Sequence, residues 1–166
     1  VLQKDKLRIV YDASAKPWKG PSLNGCLDAG PNFLRDLVSI LLRFRSHVHP
    51  LIADIEKAFL MVGVNPTDRE FLKIVWRDSS NRCRYSQFTR VPFGLNCGPF
   101  LLLETIRTHL AAQKNEDADM IRSLRDGMYM DDLVTGHSSA AEVIHVRNEA
   151  HRIFHDAGMN LCDFVS

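Results

Sequence analysis

Three carboxylates carry the strongest chemical signal in this sequence. Asp54 closes the apolar run Leu51-Ile52-Ala53, and Asp131 and Asp132 stand side by side between two further apolar stretches. A carboxylate at the end of a buried strand and two at a hairpin tip can converge on one edge of a sheet. Such groups repel each other and stay ionised together only if a cation neutralises them, so a divalent metal site is the natural resolution. Oxygen-only ligands favour magnesium or manganese. Two such ions roughly 3.5 to 4 Å apart can clamp the attacking and leaving oxygens of an in-line phosphoryl transfer, one activating a hydroxyl and the other balancing charge on the leaving group. The protein then contributes mainly position and electrostatics.

The elements that must position these groups can be read from apolar spacing. Residues 49–55 form a strand with Leu51, Ala53 and Ile55 on one face and Ile52 and Asp54 on the other. Residues 127–136, Gly-Met-Tyr-Met-Asp-Asp-Leu-Val-Thr-Gly, have the pattern of a hairpin with both Asp at its tip. Ser139 with Glu142 makes a capping box. The stripe Val143, Val146, Ala150, Ile153 and Ala157 follows at helical spacing, and Gly158 stands where a helix C-cap belongs. Earlier in the chain, Leu7, Ile9 and Tyr11 alternate with Arg8, Val10 and Asp12 as a half-buried strand, and residues 19–31 read as a loop. Leu34, Leu37, Val38, Leu41 and Phe44 recur as one face of a helix. Residues 56–61 read as a tight helical turn, and 71–76 and 85–91 as strands, the latter running into Pro92-Phe93-Gly94. Pro99 fits the first position of a Leu-rich helix over 100–112, residues 114–119 are a polar loop, and Met159, Leu161 and Phe164 continue into a last strand or loop. The expected fold class is α+β, an antiparallel sheet backed by helices.

With 166 residues, 45% hydrophobic and 25% charged, the chain can bury one sizeable core as a globular domain. A net charge of +1 neither demands nor excludes a nucleic-acid partner. Its distribution is more telling: Lys4, Lys6, Arg8, Lys16 and Lys19 stand against only Asp5 and Asp12, whereas residues 104–132 carry seven acids against four bases. A basic lobe and an acidic centre suit a protein that grips phosphates and binds divalent metal. Cys26, Cys83, Cys97 and Cys162 are scattered, without C-x-x-C or zinc-ligand spacing, and read as reduced core thiols. No apolar run approaches the ~20 residues of a membrane span, and no leader opens the chain, so an intracellular protein is expected. Val1 lies inside a strand-like pattern and the chain stops in the apolar segment 161–165, which suggests a piece of a longer protein.

The surroundings of the three carboxylates resemble the reverse transcriptases along nearly the whole chain. Tyr129-Met130-Asp131-Asp132 is similar to their Tyr-x-Asp-Asp box, Asp54-Ile55-Glu56-Lys57-Ala58-Phe59 to their first catalytic block, and Thr89-Arg90-Val91-Pro92-Phe93-Gly94-Leu95 followed by Pro99 to their Pro-x-Gly block. Order and spacing both agree. Val10-Tyr11-Asp12-Ala13-Ser14, Ser22-Leu23-Asn24, residues 27–32, 36–45 and 132–136 are similar to one branch, the BEL/Pao-type long-terminal-repeat retrotransposons.

That resemblance implies a polymerase palm over residues 51–166 with partial fingers over 1–50. Primer grip, thumb, connection and RNase H would be absent. It implies an RNA-directed DNA polymerase that transfers nucleotides from dNTPs to a primer 3′-hydroxyl, directed by an RNA or DNA template. Asp54, Asp131 and Asp132 would hold two Mg2+ or Mn2+ ions, Asp54 and Asp131 most strongly, with the Ile55 carbonyl adding an oxygen. Arg8 matches the fingers arginine on the triphosphate, with Lys4 or Lys6 its partner on the γ-phosphate. The amides of Lys57 and Ala58 would cradle the triphosphate. Phe59 would lie beneath the sugar, excluding a 2′-hydroxyl, and Phe93, often Gln in other branches, would line the pocket for the sugar and its 3′-hydroxyl. Tyr129 and Met130 would meet the primer end. Gly25 stands where the branch has an acid. The implied setting is a retroelement polyprotein, either cytoplasmic, where retroelement particles would hold it, or nuclear. Two other readings compete: a non-catalytic remnant that binds nucleic acid or a protein partner, and a metal-dependent phosphohydrolase of another fold, which would place His or further carboxylates near the three.

Overall fold

The structure, a computed structural model, describes the backbone of residues 2–3 and 6–7 and all atoms of residues 9–166. Lys4 and Arg8 lie outside the described residues, as does the side chain of Lys6. The architecture is mixed α+β, with antiparallel sheets and helices packed on them. In chain order come β1 (Leu2–Gln3), β2 (Lys6–Leu7), the one-turn α1 (Leu23–Cys26), α2 (Leu37–Ser46), β3 (His49–Ile55) and the one-turn α3 (Ala58–Met61). They are followed by β4 (Lys73–Arg77), β5 (Cys83–Gln87), α4 (Gly98–Ala112), α5 (Ala118–Gly127), β6 (Met128–Tyr129), β7 (Asp132–His137), α6 (Ala140–Asp156) and β8 (Leu161–Val165). Two compact units emerge, one of Val1–Gly30 with Phe59–Gly98, the other of Pro31–Ala58 with Pro99–Ser166.

The second unit holds a four-stranded antiparallel sheet in the order β6-β7-β3-β8. β3 spans the residues its alternation predicts: Leu51, Ala53 and Ile55 are buried, whereas Ile52 and Asp54 on the other face are half-buried. The inward face packs against α6, where Leu51 meets Val143 and Val146. Helix α6 starts as expected, Ser139 Oγ accepting from the Glu142 N–H, and it ends at Gly158, whose φ of 71° suits a residue without Cβ. Burying Val143, Val146, Ala150, Ile153 and Phe154 gives this helix on the order of 1.5–3 kcal/mol for each large side chain.

Several expectations are corrected. Residues 9–12 form no strand, and Ile9 and Val10 are exposed; among the described residues the nearby ladder pairs β1 with β2 and stops at Leu7. The helix read over 34–44 is α2, and it buries only Ile40; Leu37, Val38 and Leu41 face outward. The apolar residues of α2 cover more than half of its circumference, with Ser39, Arg43 and Ser46 opposite, so periodicity alone does not single out the row that holds Ile40. Phe71 falls in a 3-10 turn before β4, and β5 ends at Gln87, short of Val91. The loop over 19–31 contains α1, and α5 was not foreseen. Cys26 and Cys83 are free but exposed, not core thiols. Among the described residues no helix is long and apolar enough to cross a membrane.

Candidate active site

The register of the sheet aligns the carboxylates. Asp54 of β3 pairs directly with Asp132 of β7 on one side and with Cys162 of β8 on the other, and Tyr129 of β6 pairs with Asp132. Directly opposed residues of an antiparallel ladder share a face, so Tyr129, Asp132, Asp54 and Cys162 form a row across four strands, on the face away from α6. Asp131 lies in the two-residue turn that joins β6 to β7, and its carbonyl accepts the Ile55 N–H at 2.9 Å. That bond ties the tip of the hairpin to the end of β3. Met130, the first turn residue, has a φ of 57°, a left-handed conformation that a bulky side chain tolerates only when the structure around it enforces it.

All three Asp are half-buried. Burial first, then the charges of Asp131, Asp132 and Asp163, raises the Asp54 carboxyl above the ordinary carboxylate range. The Cys162 thiol donates to Asp54 Oδ2 at 3.9 Å and opposes that shift. Asp132 is raised as well, by burial and then by Asp131. Among the described residues nothing cationic offsets these causes at either group. Partly dehydrated, mutually repelling oxygen donors without a counter-ion have the chemistry of a hard divalent cation site. Among the described residues no three His, Cys, Asp or Glu side chains are yet gathered to a common point that would hold an ion. The backbone aligns the donors without drawing their side chains together.

After Ile55 the chain turns sharply. The Glu56 N–H donates to the Asn160 carbonyl at 2.9 Å, and Asn160 Nδ2 donates to Glu56 Oε2 at 3.1 Å. Lys57 has a φ of 51° immediately before α3, and its amine pairs with Glu56 at 3.1 Å. A left-handed residue followed by right-handed ones turns successive N–H groups toward one side, the backbone form of an anion nest.

The first unit places the two aromatic residues together. Phe59 and Phe93 meet edge to face with centroids 5.2 Å apart, and a Cβ on Gly98 would come within 3.3 Å of the Phe59 ring, so a side chain there would have to displace the ring slightly. Phe93 also borders an open cleft of about 810 Å3 lined by Tyr11, Leu72, Trp76, Phe88 and Leu95, and its side chain stays half exposed.

Sequence reasoning missed two groups that act on the carboxylates or steer their hairpin. Cys162 could have been found only through the β3–β8 register. Asp126, at the end of α5, receives Arg35 at 2.8 Å, Arg125 at 3.3 Å and Arg43 at 3.6 Å. Its helix runs into β6 without a connecting loop, so this network anchors the strand that leads to the Asp-Asp tip. A comparison with curated proteins gives no match. The family profile described as reverse transcriptase (RNA-dependent DNA polymerase) matches residues 21–163.

Proposed function

The chain belongs to the reverse transcriptase (RNA-dependent DNA polymerase) family, and from that premise we propose that it catalyses template-directed transfer of deoxynucleotides from dNTPs to a primer 3′-hydroxyl, within the polyprotein of a BEL/Pao-type retrotransposon. The primer oxygen would bond to the α-phosphorus as the bond to the β-phosphate breaks, releasing pyrophosphate. The observation that carries this reading is the paired row of Asp132 and Asp54, with Asp131 bonded through its carbonyl to Ile55.

Asp54 and Asp131 would hold magnesium or manganese most strongly, with Asp132 and the Ile55 carbonyl completing the oxygen set. When bound, a pair of such ions supplies acidification of the hydroxyl and charge neutralisation on the departing phosphates. The chain's own groups do the positioning. The amides of Lys57 and Ala58 would receive the triphosphate, helped by the permanently charged fork of Arg8 and by Lys4 or Lys6. Phe59 would floor the sugar and Phe93 would line it. Tyr129 and Met130 would touch the primer end, Met130 from its enforced turn conformation. A template-primer duplex and dNTPs are the partners this chemistry requires.

Primer extension on RNA and DNA templates with magnesium, comparing wild type with Asp131→Asn, tests the proposal. The expected loss of rate is about 10²- to 10³-fold, as for removal of a group that stabilises transition-state charge. Calorimetric titration of magnesium in the presence of a dNTP should show weaker binding by the variant. Equal extension or equal metal affinity in the two proteins would sink the shared site. Nucleic-acid binding without any extension by either would favour the non-catalytic remnant.

A further inference from the structure

The turn that carries Phe93 is held by a side chain some seventy positions away in sequence. Asn24 donates from Nδ2 to the Gly94 carbonyl at 2.8 Å and to Ser14 Oγ at 2.9 Å, while its Oδ1 accepts the Asn96 N–H at 2.9 Å. The Asn24 N–H donates to the Ala13 carbonyl at 3.0 Å. Asn96 returns the grip: its Nδ2 donates to the Asn24 carbonyl at 3.0 Å and to the Leu27 carbonyl at 3.3 Å. One half-buried residue thereby ties together the segments 13–14, 24–27 and 94–96.

These partners specify the residue type. A carbonyl only accepts and a backbone N–H only donates, so Gly94 and Asn96 determine which end of the Asn24 amide is nitrogen. A donor and an acceptor are needed side by side on one short planar group. Asp lacks the donor, Ser and Thr carry a single oxygen, and Gln is a methylene too long.

Gly94 shows why the grip matters for its neighbour. Its φ is 97°, and a Cβ at that position would lie 2.7 Å from the Tyr11 carbonyl oxygen. The turn is therefore pressed against residue 11 at a point where no side chain can lock it. Asn24, bonded on both sides of Leu95, supplies the lock that Gly94 cannot. Phe93 is attached directly to this carbonyl-bonded glycine, so the angle at which its ring meets Phe59 depends on where Gly94 is held.

We infer that Asn24 is a positioning residue for the sugar pocket: it sets Phe93 against Phe59, and so governs dNTP affinity and sugar choice without touching the nucleotide. This inference rests on the proposed placement of Phe59 and Phe93 at the sugar.

Asn24→Asp tests it, because the shape and the acceptor are kept while a carboxylate oxygen replaces the donor to Gly94. Hydrogen-exchange mass spectrometry reads the hold on residues 92–97, and steady-state primer extension reads KM and kcat, with Phe93→Ala as the companion variant. Exchange over 92–97 should quicken about tenfold, with residues 128–137 unchanged. The KM for dNTPs should rise about five- to tenfold with kcat within about twofold of wild type, and discrimination against ribonucleotides should weaken. Unchanged exchange overturns the inference. So does faster exchange with unaltered KM and sugar choice in a background where Phe93→Ala alters both, since Asn24 would then be structural only. If Phe93→Ala itself leaves KM and sugar choice untouched, the placement of Phe93 fails and the inference falls with it.

Discussion

The carboxylate edge and the Phe93 turn are held by different means. Asp54 and Asp132 are placed by the ladder between β3 and β7, where backbone groups supply the bonds and the side chains are free to serve chemistry. Phe93 stands in a turn whose position depends on side-chain amides, those of Asn24 and Asn96. A ladder keeps its register when a side chain changes, so substitutions at the carboxylates should alter chemistry and spare the fold. A turn tied by side chains can be loosened by a change that never touches the substrate. The carboxylate edge should therefore be sensitive to what approaches its backbone, and the aromatic turn to what happens at its hydrogen-bonding partners.

The largest expected effect strikes the ladder itself. Gly127, buried at the end of α5, has the Val134 carbonyl oxygen 2.7 Å from where a Cβ would lie, and the Leu133 side chain at 3.3 Å. Gly127→Ala should push β6 away from β7 and cost about 1–3 kcal/mol in urea unfolding, as overpacking of a tight interior does. A variant as stable as wild type would mean that the hairpin yields, and that its register is softer than the ladder suggests.

Next comes Phe59→Val. Removing the ring should admit a 2′-hydroxyl and raise the ratio of kcat/KM for ribonucleotides over deoxyribonucleotides by about tenfold or more, because the discrimination works by clash. The same truncation opens space beside Phe93 and Gly98, so unfolding must be measured in parallel to separate lost packing from altered sugar choice. A folded, active variant with wild-type sugar choice would leave Phe59 a packing residue.

The smallest effect is electrostatic. The carboxyls of Asp54 and Asp132 are raised above the ordinary value of 3.8 by burial and by neighbouring charge. A group whose folded pKa exceeds its unfolded one contributes stability that is complete below the unfolded pKa and is lost as pH rises through the folded pKa. Metal-free protein should accordingly lose some stability from this pair as pH rises through the interval above 3.8, and Asp54→Asn should flatten that dependence. Thermal unfolding in a chelator, scanned against pH, measures it. A steeper pH dependence in the variant than in wild type would contradict the assignment of the repulsion to Asp54.

The parts of the molecule legible in its residues are those in which a local pattern and the final packing agree. Alternation at Leu51, Ala53 and Ile55 yields β3 with its faces correctly assigned, because one face is buried against α6 and the other is half open. Ser139, the Val143 to Ile153 stripe and Gly158 mark α6 from cap to cap. Helix α5 carried comparable signals, an N-cap at Asp117 and apolar Met120, Ile121 and Leu124 at helical spacing. It was missed because Gly127 ends the helix with no intervening turn, and that glycine reads equally well as the start of the hairpin.

Residue types by themselves determined the carboxylate inventory, the alternation that puts Asp54 on one face of a strand, and the tip that carries Asp131 and Asp132, since these depend on neighbours within a few positions along the chain. Tertiary structure decided the rest. It set the register that places Asp54 between Asp132 and Cys162, the row of α2 that is buried within its broad apolar side, and the partners of Asn24. Each of these joins residues far apart in sequence, whose meeting is chosen by the packing of the whole chain and leaves no periodic trace in either segment.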